Sequence, residues 1–201
     1  MKKKMMAGLL VAAFGVVGFS GTSLADETST IDGRDNGKDT ADITINGNLA
    51  ADNTDPDSGL PEGDPVWVNV TVPTVTSFWN TPTQAAFQSP NYTITNNSGR
   101  PVTLATTAFK QNDSVTLPND FSLNAVLNGT DIKLAEAGSL AFSANDNLMT
   151  LANKDGKMTS AASAVTDSNK ASYKYTGSAT VSSSLKPQFQ LTMKFTPVVW
   201  N

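Results

Sequence analysis

Two groups of residues in this 201-residue chain have types and spacing that could do chemistry: the tryptophans Trp67, Trp79 and Trp200, and the aspartates Asp52, Asp55 and Asp57. A tryptophan offers a flat apolar face with one polar N–H, which suits a sugar ring or a partner protein. Three aspartates alternating along a turn, with Gly59 nearby, resemble part of a calcium loop, where hard oxygen ligands surround the cation. Pro56 interrupts that loop and no bidentate glutamate follows at its place, so the match is poor and the stretch reads as an acidic linker. The chain has no histidine and no cysteine. That removes His-assisted serine or cysteine nucleophiles, thiolate zinc sites and His-ligated metal centres. A paired-carboxylate glycosidase needs only two Asp or Glu residues across a cleft. Yet Glu136 is the only glutamate after Glu62, and the aspartates sit in turn-like contexts. The reading is therefore a non-enzyme with no catalytic residue, no cofactor and no metal. Trp67, Trp79 and Trp200 are its candidate glycan or partner contacts, with packing inside the fold as the competing role for Trp67.

The first residues give the expected destination. Lys2, Lys3 and Lys4 precede an apolar, uncharged run to Phe19, and Ser23-Leu24-Ala25 offers small residues at the −3 and −1 positions of a cleavage site. This is the pattern of a secretory signal over residues 1–25. The apolar run is about 15 residues where a membrane span needs roughly 20. No cysteine follows it to carry a lipid, and no second apolar stretch near the C-terminus provides an anchor. The expectation is a secreted, extracellular or cell-wall-associated protein with no integral membrane span after cleavage. Without the three leader lysines, 11 Lys+Arg stand against 18 Asp+Glu, a net charge of −7. Such a surface repels nucleic acid at long range. An exported chain without cysteine fits a Gram-positive bacterium better than a disulfide-stapled animal domain.

The elements that position these residues come next. Residues 26–65 are polar, charged and turn-rich, and read as a mobile segment with one candidate strand at 41–49, where Ile43, Ile45 and Leu49 interrupt the polar run. From Val66 the period changes to two. "VWVNVTV" places Val66, Val68, Val70 and Val72 on one face and Trp67 on the other. "NYTITNN" and "PVTLATTAF" read as a hairpin about Asn97-Ser98-Gly99. "FSLNAVLNG", "DIKLA", "SLAFSA", "NLMTLA" and "SYKYTGSATVSS" supply further strands. In "QFQLTMKFTPV", Phe189, Leu191, Met193 and Phe195 alternate with polar residues, as a half-buried strand requires. "SAASAVTDSNKAS" is a loop or a short helix. Short strands with Asn, Gly and Ser turns and no long helical stripe predict an all-β fold over 66–201, an antiparallel β-sandwich of Ig-like or jelly-roll style.

The C-terminal stretch Leu191-Thr192-Met193-Lys194-Phe195-Thr196-Pro197 resembles the last strand of the WxL cell-surface proteins of Gram-positive bacteria. Met193 stands where that family has tryptophan and Phe195 where it has leucine. The resemblance implies noncovalent attachment to peptidoglycan. With the leader and the missing catalytic chemistry, it gives the leading expectation: a non-enzymatic cell-surface protein that binds the cell wall, or a partner surface protein, noncovalently. Two alternatives stay open. One is a subunit of an extracellular fibre that self-assembles by strand addition, with 41–49 as donor strand; the other is a glycan-binding module using Trp67 or Trp79.

Overall fold

A computed structural model describes Leu49 and residues 51–200. The leader over 1–25 and most of the candidate strand at 41–49 lie outside the described residues. The described chain is an all-β, antiparallel sandwich. It opens with a 3₁₀ turn at Pro65–Trp67, followed by β1 (Val70–Thr71), β2 (Trp79–Thr81), β3 (Gln84–Gln88), β4 (Tyr92–Asn96) and β5 (Val102–Gln111). Then come β6 (Ser122–Leu127), β7 (Thr130–Glu136), β8 (Ser139–Leu140), β9 (Asn145–Leu151), β10 (Lys170–Ser178) and β11 (Phe189–Pro197). The larger sheet runs β1-β4-β10-β6-β7-β8, with β3 pairing the end of β10 and β2 pairing β3. The smaller sheet is β11-β5-β9.

Alternation works as the sequence requires in the strands that carry the core. Leu123, Ala125 and Leu127 of β6 face inward with Ile94, Ala171, Tyr173 and Leu134 of the same sheet, and meet Leu104 and Leu151 of the other. β6 and β7 form a hairpin whose Asn128-Gly129 link has φ of 44° and 86°. Both positive angles match the two-residue turn whose twist suits flanking strands. The segment 158–169 forms turns, and it is the loop reading of that stretch that applies.

Three expectations are corrected. First, 66–72 is not one strand. The Asp64 carboxylate accepts from the Val66 N–H at 2.9 Å and Pro65 takes the first helical position, so a 3₁₀ turn forms before the ladder begins at Val70. The turn reverses the faces: Trp67 is fully buried and Val66 is exposed. Second, Asn97-Ser98-Gly99 does not close a hairpin, because β4 and β5 belong to different sheets. The side chain of buried Asn96 donates to the carbonyls of Arg100 at 2.9 Å and Ala152 at 2.8 Å, while its oxygen accepts from the Ser98 N–H. Those bonds hold the chain as a crossing between sheets. Third, the described part of the expected mobile segment is packed. The Asn53 carbonyl accepts from the Gly99 N–H at 2.7 Å, and a Cβ on Gly99 would lie 2.8 Å from the backbone of Asp55.

The residue that gathers this end of the sandwich is Arg100. Its Nε donates to both carboxylate oxygens of Glu62, at 2.8 and 3.0 Å, and Nη2 adds a further bond to the same group. Nη1 donates to the Pro56 carbonyl at 2.7 Å. The guanidinium lies 4.1 Å from the Trp67 ring centroid and 4.5 Å from that of Trp200, so it is held between two aromatic faces. The Trp67 indole N–H donates to the Pro61 carbonyl at 2.9 Å.

Both side chains of the ion pair are about nine-tenths buried. Removing one partner strands the other charge, which costs roughly 3–5 kcal/mol. Arg100→Met is expected to lower unfolding stability in urea by that amount, and Arg100→Met with Glu62→Gln to recover a substantial part of it. Equal losses in the single and double variants would show that the pair is not the cause. A second stability prediction comes from Thr106, fully buried on β5 with a hydroxyl that has no hydrogen-bond partner among the described residues. Thr106→Val should raise stability by about 1 kcal/mol, read from the same denaturation curves.

Candidate functional site

A cleft of about 1240 Å³ opens between the two sheets, because three strands cover only part of the inner face of the larger sheet. One wall carries Val72, Phe78, Ile94, Tyr173 and Tyr175; the other is the apolar face of β11. The alternation of β11 has the expected sense: Phe189, Leu191, Met193 and Phe195 point inward and their polar neighbours outward. These four are nevertheless only half-buried, since the space they face is the cleft.

Phe78 packs among the other rings of the cleft. Its ring centroid lies 4.7 Å from that of Phe87, 5.9 Å from Tyr175 and 6.4 Å from Phe189, and Phe189 in turn stacks on Phe109 at 5.4 Å. Offset and tilted rings at these separations pack with favourable quadrupole geometry. The segment 72–78 has no strand partner among the described residues and is held by phenols instead. Tyr175 Oη bonds Thr76 Oγ1 at 2.9 Å, and Tyr92 Oη accepts from the Ser77 N–H at 2.7 Å. Burial pushes the phenol of Tyr173 well above its ordinary range, with the neighbouring Tyr175 and Tyr92 adding to it, and burial also raises Tyr175. Both phenols keep their protons at neutral pH; Tyr175 serves as a hydrogen-bonding group, and Tyr173 packs its ring against Tyr92 and Tyr175.

At the mouth of the cleft, Val75, Trp79 and Leu185 are 88%, 51% and 43% exposed. Leu185 sits on a loop tied down at both ends by aspartates. Asp120 accepts from the Thr180 N–H at 2.9 Å, and Asp113 accepts from the Gln188 N–H and from the Gln111 amide. Among the described lining residues, Lys186 is the only charged side chain. The cleft can therefore take up apolar or stacking groups, and its lining holds no carboxylate pair.

The three tryptophans separate. Trp67 is withdrawn as a ligand contact because it is fully buried against Arg100, and Trp200 packs on the other face of the same guanidinium. Trp79 alone stands exposed, at the cleft mouth. Asp52, Asp55 and Asp57 do not converge. Asp52 accepts from the Thr54 N–H and hydroxyl, at 2.8 and 2.9 Å, and Asp55 from the Asp57 N–H at 3.0 Å, as in side-chain turns. Among the described residues no group of three or more acidic side chains could hold a metal ion, and no helix is long and apolar enough to cross a membrane. The sequence reading missed Phe78, Tyr173 and Tyr175 as site residues, although "SYKY" places both tyrosines on one face. No family model, curated protein or solved structure matches this chain.

The Gln111 amide, followed by the backbone N–H groups of Val115 and Gln188, holds the Asp113 carboxyl below its ordinary value against some desolvation. A depressed folded value stabilises the native state above the unfolded carboxylate value, about 3.9, and that stabilisation is lost as pH falls through the lower folded value. The native chain should therefore lose thermal stability relative to Asp113→Asn as pH drops below about 4. Parallel melting curves for the two proteins across that range would contradict the clamp.

Proposed function

We propose that this chain is an exported, non-enzymatic surface protein that binds the cell envelope, or a partner surface protein, noncovalently through the mouth of its cleft. The observation that carries the reading is that Val75, Trp79 and Leu185, exposed and apolar, all line this one cleft. Large apolar side chains gathered at the rim of a concavity mark interaction sites more often than scattered surface residues do. The leader-like residues 1–25 support export, and the resemblance of 191–197 to the last strand of WxL proteins supports attachment to the wall. A glycan reading rests on the same Trp79, whose exposed ring could stack on a sugar.

The test is co-sedimentation of the purified protein with isolated Gram-positive cell walls, before and after protease treatment of the walls. Retention that survives the protease identifies a glycan ligand, and retention that disappears identifies a wall protein. Trp79→Ala should reduce retention at least about tenfold, as loss of an aromatic anchor does, while leaving the melting temperature unchanged. Equal retention of the variant, or none of the native protein, removes the proposal. A second reading, a fibre subunit that assembles by strand addition, is favoured by one observation: among the described residues, β11 is an edge of its sheet.

A further inference from the structure

β11 pairs with β5 on one side, and among the described residues no strand pairs with it on the other. It is nine residues long and straight in its alternation, with Lys194 as its only charge and proline only at its last position. Native edges are normally short, bulged, charged or covered, because a row of unpaired N–H and C=O groups recruits another strand. Here the open edge also borders the cleft, and Leu191, Met193 and Phe195 stay half-exposed beside it. A strand laid against β11 would satisfy the edge and cover the apolar side chains together.

Where the described chain begins points to the occupant. Asn53 is bonded to Gly99, Glu62 to Arg100, and the Val198 N–H donates to the Pro101 carbonyl at 2.8 Å, so residues 53–62 sit at the end where β11 finishes. The chain immediately before them reads Ala41-Asp42-Ile43-Thr44-Ile45-Asn46-Gly47, with alternating apolar and polar residues. Seven residues of strand span roughly 23 Å, most of the length of β11. Residues 48–52, including the exposed Leu49, are long enough to connect that strand to Asn53.

We infer that residues 41–47 of this same chain complete the smaller sheet beside β11, with Ile43 and Ile45 turned into the cleft over Met193 and Phe195. Since both segments run toward the Arg100 end, the added strand is parallel to β11. Asp42 and Lys194 then share the outward face. Trp79, next to Phe78, and Leu185 lie near the other end of β11, so the inference does not depend on what those two residues bind.

The chain contains no cysteine, which makes engineered pairs unambiguous. Full-length chain secreted by a bacterial host would carry Ile45→Cys with Met193→Cys, or Ile45→Cys with Phe195→Cys. Thr44→Cys with Met193→Cys, on opposite faces, is the control. Mild oxidation should join at least one test pair within a single chain in most molecules, and the control in a small minority. Disulfides between chains would overturn the assignment in favour of a second copy as the occupant. Absence of any crosslink would overturn it outright. A second measurement avoids β11 itself: Ile43→Asp with Ile45→Asp should speed amide exchange in β11 at least tenfold and leave β6 unchanged. Unaltered exchange in β11 would equally refute the inference.

Discussion

The guanidinium of Arg100 is buried, and every piece of chain at its end of the sandwich is arranged to receive it. Glu62 supplies the countercharge, the Pro56 and Gly99 carbonyls take Nη1, and Trp67 and Trp200 close the two faces. A buried cation without such partners would be intolerable, so the site fixes where its partners must go. The Glu62 carboxylate also accepts from the Trp200 N–H at 3.3 Å, which ties in the residues after β11. Buried Asn96 and Asn153 extend the same network into the neighbouring turns, where the Asn153 oxygen accepts from the N–H groups of Asp155 and Lys157. Packing alone sets the rest of the core; this end is set by polar groups that admit one arrangement.

The opposite end follows a different rule. There the sheets are unequal in width, and the uncovered face is filled by aromatic rings in place of a strand. The segment 72–78, lacking a ladder, is positioned by two tyrosine hydroxyls, and the 180–188 loop by two aspartates. Fixed rims around an incompletely covered apolar face give a surface that can accept another molecule without refolding the sandwich.

How much of this the sequence disclosed depends on the range of the interactions. β6, β10 and β11 were legible because a period of two is local, and the inward face of β11 follows directly from it. The 3₁₀ turn was misread although its signal, Asp64 before Pro65, is also local; four alternating valines outweighed it. The crossing between β4 and β5 could not be read, since Asn-Ser-Gly closes a hairpin or a crossover equally well, and the choice lies with Ala152, far along the chain. β2 and β3 were missed in a stretch where prolines argue against strands. The role of Arg100 was hidden for the same reason as the cleft. Its partners Glu62 and Pro56 stand 38 and 44 residues before it and Trp200 comes from the chain after β11, and no window along the sequence contains them all.

Residues 51–63 and 198–200 converge at the Arg100 end, while Trp79, next to Phe78, and Leu185 lie near the start of β11, roughly 30 Å away by strand length. A tether attached through either flank of the domain therefore reaches it at the same place. Whichever flank is held, Trp79 and Leu185 lie at the opposite end of β11 from the point of attachment. Tension along the tether is taken up by the charged stack before it reaches the strands.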